Sequence, residues 1–220
     1  MTADRPESDV PRRAPRPQSA AFQDSDEIQD AYLRRAIAEI GSLNDEMVAS
    51  DDCADGTLPV MASGSPQAEI MMVKWAPSIP EQQEGVAFFG RAGTAILKSV
   101  QRLGIDPLTL YGTVCVKCLS EAAERTAEHA PPWLSREIEI VRPRLLVAMG
   151  ERVVEALNHL DLPMSEEISA TSNRVQRLTP SIDVVFTPDI DESLDEQSAK
   201  RAFWSAFRIL GEWHESQPPY

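Results

Sequence analysis

Basic side chains are scarce in this chain. Its 220 residues carry 21 Lys and Arg against 35 Asp and Glu, a formal net charge of −14. Phosphate contacts need Lys and Arg, so this balance counts against tight, non-specific nucleic-acid binding. A local basic cleft would have to draw on Lys74, Arg91, Lys98, Arg102, Lys117 and Arg174. Cysteine is scarce too, at three residues. An odd count with two cysteines close together does not suggest a disulfide framework and fits a reducing compartment. No apolar run approaches the roughly 20 residues that span a bilayer. The N-terminus is polar and lacks the apolar core of a secretory signal. A cytoplasmic protein with no membrane partner is the expectation.

What is present reads as one soluble domain with a tail. Hydrophobic residues make up 42% and charged residues 25%, which is ordinary for a globular protein. Residues 1–25 are rich in Pro, Arg, Asp and Ser without apolar periodicity, and read as a disordered tail. Within it, Arg12, Arg13 and Arg16 beside prolines form a candidate docking segment. The folded domain is expected over 26–217. From Asp26 to about Ser50, Ile28, Tyr32, Ile37, Ile40, Leu43 and Met47 recur at three- and four-residue steps, which predicts an amphipathic helix. Asp51–Pro66 is turn-rich and reads as a loop.

Four short apolar segments follow: Glu69–Lys74, Leu110–Val116, Arg144–Met149 and Asp183–Thr187. Little alternation within each predicts strands buried on both faces of a parallel sheet. Helical patterns separate them at Ala92–Leu103, Trp133–Val141 and Glu151–Leu160, and a last one runs from about Gln197 to Glu215. The predicted fold class is α/β: a three-layer α/β/α sandwich around a central, mainly parallel four-stranded sheet. Ligands of such sheets bind beyond the carboxyl ends of the strands. Those ends carry Lys74-Trp75-Ala76-Pro77, Val114 to Leu119, Met149-Gly150 and Thr187-Pro188.

Around these ends several residues invite chemistry. Gly90-Arg91-Ala92-Gly93 opens a helix, where small residues let a ligand approach and the helix N-terminus favours phosphate. Cys115-Val116-Lys117-Cys118 has the spacing of a zinc or dithiol site. Zinc takes about four ligands, however, and no second pair exists, so a buried strand cysteine is the preferred reading. Glu81 and Glu84 lie between Pro77 and Phe88 as candidate general bases, set against ordinary solvated carboxylates. His129, His159 and His214 read as surface or packing residues.

Taken together, Ala76-Pro77, the ungapped spacing to Gly85, Phe88-Phe89-Gly90-Arg91-Ala92-Gly93, Val116-Lys117-Cys118, Arg142–Gly150 and Thr187-Pro188 resemble the uracil-DNA glycosylase superfamily. The likeness is to its iron–sulfur family 4 branch. It covers roughly residues 28–213 and is densest over 69–118 and 134–150. The resemblance implies a base-binding set of Trp75, Ala76, Pro77, Phe88 and Val114, with Phe88 stacking on a flipped base. It also implies phosphate contacts at Gly90, Arg91 and Gly93. It places a catalytic acid at Trp75, a base-reading asparagine at Val114 and a catalytic histidine at Thr187. Thr187 and Glu81 are the remaining catalytic candidates.

The same resemblance implies a [4Fe–4S] cluster held by four cysteines. Cys118 matches one of these positions and Cys53 approaches another. The fourth position, near Ala130, has no cysteine. The expectation is that Cys53 and Cys118 are remnants and that the chain holds no cofactor. Loss of three residues that act as a unit predicts a divergent member with weak or no base excision. Such a protein would serve DNA repair by binding a base, DNA weakly, or a protein partner in a repair or replication assembly. The alternative is an active enzyme that hydrolyses the N-glycosidic bond of a flipped uracil or damaged base.

Overall fold

The computed structural model describes residues 20–53, 57–120, 132–171 and 174–218, with the side chains of 20–26 left out. The tail assigned to residues 1–25 lies outside the described residues up to position 19. From there, helix α1 (Ala20–Ala49) already runs. Strand β1 (Ser63–Gly64) and β2 (Ile70–Lys74) follow, then α2 (Ile79–Glu84) and α3 (Arg91–Arg102). A 3-10 turn at Pro107–Thr109 leads into β3 (Leu110–Val114). Next come α4 (Pro132–Val141), β4 (Leu145–Met149), α5 (Glu151–His159), β5 (Val175–Thr179), β6 (Ile182–Thr187), α6 (Ile190–Asp195) and α7 (Gln197–Glu215).

The sheet has six strands in the order β1-β3-β2-β4-β6-β5. The four anticipated strands form its parallel centre, and β1 and β5 add antiparallel edges that the sequence reading did not include. Both edges lack the continuous apolar run that marked the centre: β1 is Ser-Gly, and the first three residues of β5 are exposed or half-buried. Gly64 is required at the edge, because a Cβ there would stand 2.2 Å from the Leu110 carbonyl oxygen.

Alternate residues of each central strand feed two cores. Met71, Val73, Leu146, Ala148 and Val184 pack toward α4 and α5. Ile70, Met72, Leu145, Val147 and Val185 pack toward α3 and α7. These are the three layers that doubly buried strands require. Helix α1 is amphipathic over part of its length only. Leu43 and Met47 are buried, whereas Ile28, Tyr32 and Ile37 are exposed. Among the described residues no helix is long and apolar enough to cross a membrane.

Candidate functional site

The parallel register aligns the strand ends in one row: Val114 opposite Lys74, Lys74 opposite Met149, and Met149 opposite Thr187. Side chains of one row in a parallel sheet share a face. Lys74 and Thr187 therefore project into the layer that holds α3 and α7. Trp75, one residue on, turns to the opposite layer and packs in the core with Cys118 and Leu134. Its ring lies 4.0 Å beneath the Arg152 guanidinium, and its Nε1 is buried without a hydrogen-bond partner. This corrects the grouping of Trp75 with Phe88. Adjacent positions at the end of a strand point apart, so the two rings lie in different layers.

Lys74 is the central finding. Its side chain is fully buried, and Nζ donates to Glu81 Oε2 at 2.5 Å and to Asp191 Oδ2 at 2.7 Å. Asp191, at the start of α6, is half-exposed, so the pair closes to the outside through a wetted carboxylate. The ammonium also stands 5.7 Å from the centre of the Phe88 ring, within cation–π range.

Glu81 is neither a solvated loop carboxylate nor a free general base. It is wholly buried on α2. Besides Lys74, its Oε2 accepts from Ser78 N (2.6 Å) and Ser78 Oγ (2.7 Å), and its Oε1 accepts from Phe88 N at 2.5 Å. A carboxylate this buried, with four donors converging on it and three of them on Oε2, is out of reach of water. Its role is to hold Lys74 and to fix the backbone at Phe88, which has a positive φ of 59°. Sequence reasoning missed α2, although Ser78-Ile-Pro-Glu81 carries the Ser-x-x-Glu capping box that marks a helix start.

Phe88 is held from two sides. A Cβ on Gly93 would lie 1.8 Å from the Phe88 carbonyl oxygen, and one on Gly112 would lie 2.6 Å from the ring. Gly93 thus answers a packing need inside the fold. Val114 is buried beside Val60, Ala87 and Phe88, so the structure does bring Val114 and Phe88 together. A cavity of about 180 Å³ touches Phe88, but it opens toward β1 between Ser63, Ile96, Pro107 and Leu110, away from Lys74.

Thr187 is fully buried and donates its hydroxyl proton to the Pro188 carbonyl at 3.0 Å. That single donor is spent inside the chain. Asp189 caps α6 by accepting from Asp191 N and Glu192 N. Burial pushes its carboxyl above the usual range, against the opposing pull of those backbone donors. At the start of α3, Arg91 pairs with Asp195 at 2.7 Å on the surface. Lys117 is buried against Glu137 and Thr113 on the far face. Of the basic positions named from sequence, Lys74, Arg91 and Lys117 are therefore engaged by carboxylates, and Arg102 lies over the Trp204 ring. His159 Nδ1 meets the Glu155 carbonyl, and His214 Nδ1 is buried without a partner. His129 and Ala130 lie outside the described residues.

Cys53 and Cys118 form a disulfide, which corrects the reading of the cysteine count as not suggesting a disulfide framework. Their separation of 65 positions hid the contact, since the loop after α1 folds back onto the segment after β3. Cys115 is free and buried, and burial pushes its thiol up to about 12. A four-thiolate cluster does not fit here, because the chain carries three cysteines and two of them are bonded to each other. Among the described residues no group of three or more His, Cys, Asp or Glu could hold a metal ion.

The sequence profile of the Uracil DNA glycosylase superfamily matches residues 61–208. This span contains the whole strand-end row and both walls of the Lys74 site. The chain belongs to the uracil DNA glycosylase superfamily. Among its relatives, the type-4 uracil-DNA glycosylase of Sulfurisphaera tokodaii is 36% identical over 101 residues, 43% of this chain and 45% of that protein. The type-4 uracil-DNA glycosylase of Pyrobaculum aerophilum is 31% identical over 106 residues, 46% of this chain and 54% of its own. That of Archaeoglobus fulgidus is 24% identical over 156 residues, 68% and 78% of the two chains. The chain thus spans about half the length of the first two relatives. The Lys74–Glu81–Asp191 network at the strand ends lies within the matched span.

Proposed function

We propose that this chain is a divergent superfamily member with little or no base-excision activity, acting in DNA repair by binding nucleic acid or a protein partner. One observation carries the reading: the buried Lys74 ammonium, clamped by Glu81 and Asp191, stands over the Phe88 ring on which a flipped base would stack. A base entering there must displace a charge from two carboxylates, and a buried pair broken on one side costs several kcal/mol, roughly 3–5. Two further features support it. Thr187 offers a ligand no free hydroxyl proton, and the Val114 side chain offers no hydrogen bond.

The test is uracil release from a single-stranded, uracil-containing oligonucleotide with excess protein and long incubation. Wild type is expected to match a Phe88→Ala control. Release clearly above that control overturns the reading. An active glycosylase is the second reading, and Asp189 is the observation in its favour, being a carboxylate directly after Thr187-Pro188 at the strand end. On that reading Asp189→Asn abolishes the release that Phe88→Ala also removes.

A further inference from the structure

The site where family 4 proteins are expected to hold a cluster is, in this chain, a pair of bonded sulfurs. The bond ties the loop after α1 to the segment after β3, and both segments converge on α2. Gln82 donates Nε2 to the Leu58 carbonyl at 2.8 Å, and its Oε1 accepts from Leu119 N at 2.9 Å. Leu119 adjoins Cys118, and Leu58 lies five residues beyond Cys53. Val60 N donates to the Lys117 carbonyl at 2.6 Å, which zips the two segments together. Near the sulfurs, the Asp52 carbonyl accepts from Ser120 Oγ, and Asp52 Oδ2 accepts from Trp133 Nε1. Gln82 is the immediate neighbour of Glu81. One covalent link therefore stands two residue contacts away from the Lys74 site.

We propose that Cys53 and Cys118 form a reversible dithiol–disulfide couple that replaces a cluster as the tie between these segments and, through Gln82, holds α2 and its Glu81 against Lys74. The reductant is a small thiol. Its thiolate attacks Sγ of Cys53, which is half-buried, whereas Cys118 is fully buried. The S–S bond breaks, and Cys118 leaves as a thiolate and takes a proton. A second small thiol attacks the mixed disulfide, releases Cys53 as a thiolate that is protonated in turn, and leaves as the small-molecule disulfide. Two electrons and two protons pass to the protein, and the reverse reaction with oxidised glutathione restores the bond. The couple goes beyond the reading of activity above, since it holds whether or not the chain excises a base.

The experiment uses the full chain purified without reductant. Alkylation followed by intact mass measurement should find one thiol after denaturation, Cys115, and three when dithiothreitol precedes denaturation. Three thiols without reductant, or iron or zinc retained at stoichiometric level, overturns the couple. Hydrogen–deuterium exchange then reads the coupling. Reduction should speed exchange several-fold at residues 79–85 as well as at 57–60, and lower Tm by roughly 5–15 °C. A Gln82→Ala variant keeps the disulfide but loses the response at 79–85. Faster exchange confined to the residues next to the two cysteines overturns the coupling to α2. Reduction of wild type supplies this readout even where a Cys53→Ser variant fails to fold.

Discussion

Lys74 Nζ and Glu81 Oε2 meet at 2.5 Å, and neither side chain is exposed to solvent. Seven residues apart, they join the end of β2 to the six-residue helix α2. Removing the ammonium alone leaves the carboxylate buried and unpaired. Lys74→Met should therefore cost about 3–5 kcal/mol in urea unfolding. Adding Glu81→Gln should recover part of that loss, because the second change removes the stranded charge. A single-variant loss below about 1 kcal/mol would sink this account of the pair.

Glycine substitutions should rank by what they meet. Gly93→Ala drives a Cβ to within 1.8 Å of backbone at Phe88, so it should cost the most, about 3 kcal/mol or more. Gly112→Ala meets a ring edge at 2.6 Å that can shift, and a smaller loss is expected. Gly85→Ala meets nothing but carries a φ of 71°, so about 1 kcal/mol is lost to backbone conformation. Thermal melts of the three variants check the order, and equal losses at Gly93 and Gly85 would contradict it.

The pH dependence of stability follows from Asp189. Burial raises its folded pKa above the unfolded value, so the native state holds its proton to higher pH than the unfolded state does. Stability from this group is therefore greatest below the unfolded pKa and falls as pH rises through the folded one. Asp189→Asn keeps an amide able to cap α6. Its stability should decline less than wild type's as pH rises over that acidic window. A steeper decline would reverse the sign of the claim.

Nucleic-acid affinity should be weak with a shallow salt dependence, since the net charge is −14 and Lys74, Arg91 and Lys117 are engaged by carboxylates. Arg91 at the start of α3 is held by Asp195. Asp195→Ala should therefore raise affinity for a single-stranded oligonucleotide by several-fold at low salt, whereas Arg91→Ala changes it little. Fluorescence anisotropy across a salt series reads both. A large loss on Arg91→Ala would show that the pair opens to bind phosphate.

How much of this was legible beforehand differs by element. The central strands stood out because strands buried on both faces are continuous apolar runs, and Leu145–Met149 shows it plainly. Helix α2 did not stand out, since Pro80 and three polar residues reduced it to a loop pattern, although the Ser78–Glu81 box was there to be read. Trp75 and Phe88 were grouped by a family pattern, and the alternation of side chains along β2 separates them.

By itself the sequence determined the layered α/β/α frame and the family, because apolar runs, glycine positions and strand–helix alternation act over short stretches. Tertiary structure decided everything that joins distant residues. Lys74 reaches Asp191 across 117 positions, and Cys53 reaches Cys118 across 65. Such contacts follow from the parallel register, which sets Val114, Lys74, Met149 and Thr187 side by side at the carboxyl ends of the central strands. Burial there decides whether a lysine or glutamate is a solvated charge or half of a buried ion pair. No local pattern in the chain contains that information.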